Sequence, residues 1–273
     1  MNFSKMTGRF AACLLCAAMS LATLSGCGKV VDESGTGSKT ATQNTASQMY
    51  DKDKSESDYQ QCLDDKSGYT DMANYTAPVN GEQVIEMTIK DKGTVKIKLF
   101  PDIMPKACAN FVGLAQNGYY NGLTFHRILA DFMIQGGDPL GTGTGGESVW
   151  GGQFDGGASK NLYHVKGALA YANSGSTSTD GSQFYIVVGT KFTDDLLKQY
   201  SPTKYSEYSD TVKKAYAEDG GTPWLDGDYT VFGQVFEGMD IVTDICNNTK
   251  VDENGKAAND VIIDKVEVVE YKG

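Results

Sequence analysis

Among the 273 residues there are two arginines, Arg9 and Arg127, and two histidines, His126 and His164. Arg127 stands in Phe125-His-Arg-Ile128, where alternation would turn His126 to the opposite face and leave the guanidinium as the chemical group. A guanidinium is a permanently charged planar fork of five donors, suited to holding an acceptor in a fixed orientation and poorly replaced by lysine. Other familiar chemistries lack their parts. Two histidines without clustered cysteines or repeated acidic spacing make no zinc site, so no metal or cofactor is expected, and His126 and His164 both read as structural. The run Gly141-Thr-Gly-Thr-Gly-Gly146 is not followed by Gly-Lys-Ser/Thr, and it leads into Glu-Ser-Val-Trp-Gly-Gly152, which does not read as a helix. It is expected to be a tight surface loop, not a phosphate cradle. Of the six cysteines, Cys62, Cys108 and Cys246 show no Cys-x-x-Cys spacing and are expected to be free or structural, with room for at most one internal disulfide.

The rest of the chain must bring such a group to a substrate. Thirty-five acidic against 24 basic residues give a net charge of −11, which argues against a nucleic-acid surface. Residues 1–26 carry Lys5 and Arg9, then the apolar run Phe10–Met19, then Leu24-Ser-Gly-Cys27. A positive start, a short apolar stretch and a small-residue exit form a secretion leader, too short for a spanning helix. Its ending resembles the bacterial lipoprotein processing motif, so Cys27 is expected to become the lipidated N-terminus, holding the protein outside the cytoplasm on the cell membrane. Residues 27–80 form the lipidated N-terminus and linker, of which 28–58 is polar enough to act as a flexible spacer. Residues 81–273 form one domain.

Within that domain, Val84–Ile89 and Val95–Leu99 alternate as two strands around the turn Lys90-Asp-Lys-Gly93. Pro105 opens a helix whose Cys108, Phe111, Val112 and Ala115 share one face. Further strands are expected at Leu123–Ile128, Phe132–Gln135, Gly167–Tyr171, Phe184–Val188, Thr230–Phe236 and Val261–Val269, and a second helix is expected through Met239, Val242 and Ile245. Many short strands with two separated helices predict a closed antiparallel barrel capped by helices. The stretch 190–221 reads as a polar helical insertion, with Tyr208, Val212 and Tyr216 along one face.

The blocks Phe125-His-Arg-Ile128 and Phe132-Met-Ile-Gln-Gly-Gly-Asp-Pro139 resemble the core of the cyclophilin family of peptidyl-prolyl cis/trans isomerases. So do Gly141–Gly146, Ala172-Asn173 with Gly181-Ser-Gln-Phe-Tyr185, and Trp224-Leu-Asp-Gly227 with Val231-Phe-Gly-Gln-Val235. The resemblance spans about residues 82–271 and implies a closed eight-stranded antiparallel barrel with two capping helices and an outer substrate groove. Arg127 matches the catalytic arginine. Phe132, Met133, Tyr185 and Leu225 match the proline pocket, Gln135, Gln183 and the main chain at Asn173 match positions on the substrate backbone, and Tyr229 stands where many members have histidine. Tyr185 itself replaces a common phenylalanine. Trp224 matches the tryptophan of members that bind cyclosporin.

The resemblance implies an isomerase of Xaa-Pro bonds in exported polypeptides, acting as a monomer. A surface-tethered peptide-binding or adhesion module using the same groove without turnover is the alternative. Intact Arg127, Phe132, Met133 and Gln135 favour the enzyme.

Overall fold

A computed structural model of the chain describes residues 49–63 and 71–273; the leader, Cys27 and most of the expected spacer lie outside the described residues. Strands β1 (Gln83–Ile89) and β2 (Gly93–Leu99) form the predicted hairpin, with Ile89 opposite Gly93 and Asp91 in the left-handed region at the turn. Their alternate residues Ile85, Met87, Ile89, Val95, Ile97 and Leu99 are all buried, which fixes the register, since a one-residue slip would turn this set to solvent.

Helix α1 (Pro105–Gln116) follows, with Pro105 in its first turn, where a missing N–H costs nothing. Not only its predicted face but every residue from Lys106 to Ala115 is buried. The reason lies ahead of the sheet: residues 49–63, part of the stretch read from composition as linker, lie over the helix. Lys106 Nζ meets Glu56 at 3.1 Å, Leu63 donates its N–H to the Ile103 carbonyl, and the ring of Tyr50 comes so near Gly113 that a Cβ there would lie 2.9 Å from it.

The remaining strands are β3 (Arg127–Leu129), β4 (Met133–Gly136), β5 (Ala168–Tyr171), β6 (Phe184–Val187), β7 (Val231–Glu237) and β8 (Ile263–Glu270). They join in the order β3-β4-β6-β5-β7-β2-β1-β8, with every ladder antiparallel. This corrects the expected closed barrel: the sheet is an open, strongly curled half-barrel. Closure needs a ladder between the edges β3 and β8, and among the described residues their flanks are joined instead by the isolated bridge Thr124–Ile262 and the few backbone bonds around it. The expected strand from Leu123 shrinks to three residues at Arg127, and the N–H of Ile128 goes to the Gly255 carbonyl in the loop before β8 instead of to β8 itself. Register shifts at Thr88/Ile89, Lys96/Ile97 and Leu169/Ala170 add the bends that curl the sheet.

Two helices flank the sheet. Phe111 of α1 is fully buried against Tyr120, Phe184 and Phe232, and Val242, Ile245 and Cys246 form the buried face of α4 (Met239–Asn248). Burying each such aliphatic side chain contributes roughly 1.5–3 kcal/mol. Among the described residues no disulfide joins Cys62, Cys108 and Cys246.

The insertion holds α2 (Asp194–Tyr200) and α3 (Asp210–Glu218), each begun by a hydroxyl cap: Thr193 accepts the Leu196 N–H and Ser209 that of Val212. Tyr208, Val212 and Tyr216 bury together with Phe192, Leu197 and Val165 in a second core. Gly221 closes the insertion onto the strand leading to β5, bridging both Val165 and Thr190. Its φ is +154°, and a Cβ there would lie 2.3 Å from the His164 carbonyl oxygen, so only glycine fits.

Candidate functional site

The sheet register builds the site. Arg127 of β3 pairs with Gln135 of β4, and Gln135 pairs with Tyr185 of β6. Directly opposed residues share a face, as do residues two apart, so Met133 joins this row, and Gln183, just before β6, continues it. The row faces away from α1. The amides set its orientation in sequence: Gln183 Nε2 donates to the Gly145 carbonyl at 2.8 Å, Gln135 Nε2 donates to Gln183 Oε1 at 2.9 Å, and Arg127 Nη1 donates to Gln135 Oε1 at 3.3 Å. The glycine loop thus aims Gln183, which aims Gln135, which holds one arm of the exposed guanidinium.

A cavity of about 500 Å³ opens over this row, lined by Arg127, Phe132, Met133, Gln135, Tyr185, Leu225 and Tyr229, with Ala172 and Asn173 on its rim. The apolar floor is packed from below. The rings of Tyr185 and Tyr229 meet edge to face at 5.9 Å, and Phe132 leans on Trp224 at the same centroid distance. Trp224 itself is not on the cavity lining; half-buried beside Phe132, it is tilted against Tyr200 and edge-on to Phe192 of the insertion. Asn173 is held at the rim by Nδ2 donating to the Asp228 carbonyl at 3.2 Å and by Oδ1 accepting the Gly175 N–H at 3.0 Å.

Gly141, Thr142 and Gly143 of the glycine run also line the cavity, as a loop beside it. Asp138 ties that loop down, accepting the N–H groups of Leu140, Thr142 and Gly143 at 2.8, 2.9 and 2.6 Å. Burial works to raise this carboxyl, but the backbone donors outweigh it and hold it below the usual carboxylate range.

Other lining residues differ from expectation. His126 belongs to the same cavity as Arg127, because β3 begins only at Arg127 and strand alternation does not extend back to it. Burial lowers the pKa of this imidazole. Asp252, Asn254 and Lys256 form a further wall, from the turn bridged at Val251 and Ala257. Nothing in their spacing marked them; they reach the site because Gly255 accepts the N–H of Ile128 beside Arg127.

Beneath Asn173 lies a fully buried carboxyl, Asp180. Burial pushes it up to about 8, against the opposing pull of its bonds with Thr230 and Asn173. The proton count agrees: the Thr230 hydroxyl lies 2.7 Å from the Gly157 carbonyl and 2.5 Å from Asp180 Oδ2, and its single proton serves the carbonyl if Asp180 supplies the other. Because this pKa lies above the unfolded value near 4, the folded state binds more protons between about pH 4 and 8, so stability falls as pH rises through that window and levels above it. Asp180→Asn should remove that fall. Thermal melts at pH 5 and pH 8 check it: the wild type loses melting temperature across this interval relative to the variant, and equal losses would refute the assignment.

The chain is similar to proteins of one family. The family profile described as cyclophilin type peptidyl-prolyl cis-trans isomerase/CLD matches residues 84–268. A protein named for peptidyl-prolyl cis-trans isomerisation in Staphylococcus saprophyticus is 46% identical over 202 residues, covering 73% of this chain and all of the relative. One of the same name in Staphylococcus aureus strain USA300 is 46% identical over 204 residues, with the same coverage. The crystal structure of a Cryptosporidium parvum cyclophilin type peptidyl-prolyl cis-trans isomerase is similar with a TM-score of 0.53 and 30% identity, covering 70% of this chain and 99% of that one. A second structure of that protein, determined in the presence of the dipeptide Ala-Pro, has a TM-score of 0.51.

Proposed function

Because the chain belongs to the cyclophilin-type peptidyl-prolyl cis-trans isomerases, enzymes that turn the Xaa-Pro bond of polypeptides, we propose that Arg127 drives that rotation while Phe132, Met133, Tyr185, Leu225 and Tyr229 seat the proline ring. Resonance gives an ordinary peptide bond a rotation barrier of ~18–20 kcal/mol, and an Xaa-Pro bond populates both isomers yet exchanges over tens to hundreds of seconds. When the bond twists, resonance breaks and the prolyl nitrogen regains a lone pair. A donor aimed at that nitrogen binds the twisted state and finds little to bind in either planar one, which is the condition for raising the rate.

The observation that carries this reading is the amide relay from Gly145 through Gln183 and Gln135, which holds the guanidinium of Arg127 on the wall of a cavity with an apolar floor. A donor already in place needs no reorganisation as the lone pair appears. Gln135 and the main chain at Asn173 hold the substrate backbone, and the buried rings hold the proline while the preceding carbonyl turns. A protease-coupled assay on Xaa-Pro peptides tests the reading: acceleration by catalytic amounts of the chain supports it, and peptide binding without acceleration would favour a non-catalytic docking module. Trp224, packed against Phe132, is the residue through which cyclosporin would be sensed, and quenching of its fluorescence on titration reports that contact.

The clients are exported polypeptides, whose slow prolines limit folding after translocation. This placement rests on the sequence of the leader and Leu24-Ser-Gly-Cys27, with lipid on Cys27 anchoring the enzyme outside the cytoplasm. In a bacterial host, Cys27→Ala should abolish incorporation of labelled palmitate and move the protein out of the membrane fraction. Unchanged labelling would contradict it.

A further inference from the structure

The insertion is connected to the proline seat through a buried chain of hydrogen bonds. The hydroxyl of Tyr185 lies 2.9 Å from Nε2 of His164, and Nδ1 of His164 lies 2.9 Å from Oδ1 of Asp226, which also accepts the His164 backbone N–H at 2.8 Å. The other oxygen, Oδ2, accepts the hydroxyls of Tyr208 at 2.6 Å and Tyr216 at 2.7 Å. All five residues are buried. Tyr208 and Tyr216 belong to the insertion; His164 precedes β5, Asp226 follows Trp224 and Leu225, and Tyr185 is in β6.

One set of protons satisfies the contacts among these five residues; the Tyr208 hydroxyl also lies 2.9 Å from Ser201 Oγ and 3.1 Å from the Pro223 carbonyl, and its one proton goes to the shorter contact with Asp226. Asp226 is met only by donors, as an ionised carboxylate requires. With the imidazole proton on Nδ1, facing Asp226, Nε2 is left to accept from Tyr185. Burial pushes the phenols of Tyr185, Tyr208 and Tyr216 upward, so each keeps its proton to donate. The imidazole in turn touches both aromatic walls of the cavity, lying parallel to Tyr185 at 6.0 Å and edge-on to Tyr229 at 6.3 Å.

A buried carboxylate is held in place by its donors, and losing them leaves a charge that must turn to whatever partner remains. Here that partner is His164. We propose that Tyr208 and Tyr216 are positioning residues for the isomerase site, acting through Asp226 and His164 to fix the ring of Tyr185 against the substrate proline. The inference rests on Tyr185 being a wall of the proline seat, and it gives the insertion a part in the reaction beyond its own packing. The phenol at position 185, where the family commonly has a phenylalanine, is then the end of the relay: a bare ring could seat proline but could not receive the insertion's influence.

The rival is that the two hydroxyls only stabilise the insertion, and a thermodynamic cycle on the full chain separates the two. Tyr208→Phe/Tyr216→Phe is made in the wild-type background and in Tyr185→Phe, and kcat, KM and the dissociation constant of an Xaa-Pro peptide are measured well below the melting temperatures. In the wild-type background we expect kcat/KM to fall about tenfold, carried mainly by KM, with peptide affinity weakening in parallel; in the Tyr185→Phe background the same pair should change either quantity less than twofold. Equal factors in both backgrounds, or a lowered melting temperature with unchanged kinetics and affinity, would overturn the proposal. If the paired variant does not fold, Tyr216→Phe alone, with an expected threefold effect that also vanishes in Tyr185→Phe, answers the same question. All of these variants keep Arg127, so failure of the catalytic reading itself would appear as absent turnover in the wild type, and the peptide affinities would still decide the positioning role.

Discussion

Arg127→Ala is expected to lower kcat/KM on Xaa-Pro peptides by about 10²–10³-fold, the range found when a single preorganised donor to a developing lone pair or oxyanion is removed. The fold should hardly notice. Arg127 is exposed at the start of a three-residue edge strand, and of the contacts described above its side chain loses the 3.3 Å bond to Gln135, whose own Nε2 stays with Gln183. Surface changes of this kind shift stability by about 0.5 kcal/mol or less. Arg127→Lys keeps the charge but not the planar fork, so it should remain at least tenfold below the wild type. A protease-coupled assay with a thermal melt on the same samples checks both statements, and an alanine variant with wild-type turnover would remove Arg127 from the mechanism.

Phe111→Ala should cost about 3–5 kcal/mol of stability, in the range of large-to-small changes at buried aromatics. Phe111 is fully buried where helix α1 meets the sheet, stacked on Tyr120 at 4.8 Å, edge-on to Phe184 at 5.5 Å and tilted against Phe232 at 5.5 Å. The neighbours are held by their own partners: Tyr171 stacks on Phe232 at 4.3 Å while its hydroxyl donates to the Ala107 carbonyl and accepts from Asn110 Nδ2. They cannot collapse into the space, so the void persists and its lining loses contacts outright. Because Phe184 is the residue before Tyr185, this loss also loosens the strand that carries the cavity wall. Urea denaturation gives the number, and a change below 1 kcal/mol would mean the core repacks freely.

The parts of the site carried on short strands were legible in the sequence. Phe132, Met133 and Gln135 lie within four residues and were joined to Tyr185 by the resemblance of their blocks to the family core; the ladder that pairs Gln135 with Tyr185 puts them on one cavity. What failed depends on distances that no local pattern encodes. The barrel remains open because the strand holding Arg127 is three residues long and its outer edge is taken by Gly255. The same tertiary contact brings Asp252, Asn254 and Lys256 to the cavity, about 125 residues further along the chain, and the late start of that strand puts His126 on the lining. Trp224 matched a binding position by sequence and lies beside the cavity lining, in contact with Phe132 and with Phe192 and Tyr200 of the insertion. Asp226 and His164 carried no signal as a pair; they stand 62 residues apart and meet only in the fold, with the insertion's two tyrosines on the other carboxylate oxygen.

If Arg127 prefers the twisted bond to the planar one, ground-state affinity and catalysed rate measured on the same samples must part company when it is removed. A proline peptide labelled for exchange spectroscopy gives the dissociation constant and the cis/trans exchange rate at saturation for the wild type and Arg127→Ala. Arg127→Ala should keep a dissociation constant within about threefold of the wild type and have a saturated rate reduced by about 10²-fold or more, with the cis/trans equilibrium of the free peptide unchanged. An affinity weakened as much as kcat/KM falls, with the saturated rate intact, would make Arg127 a binding residue and contradict that preference.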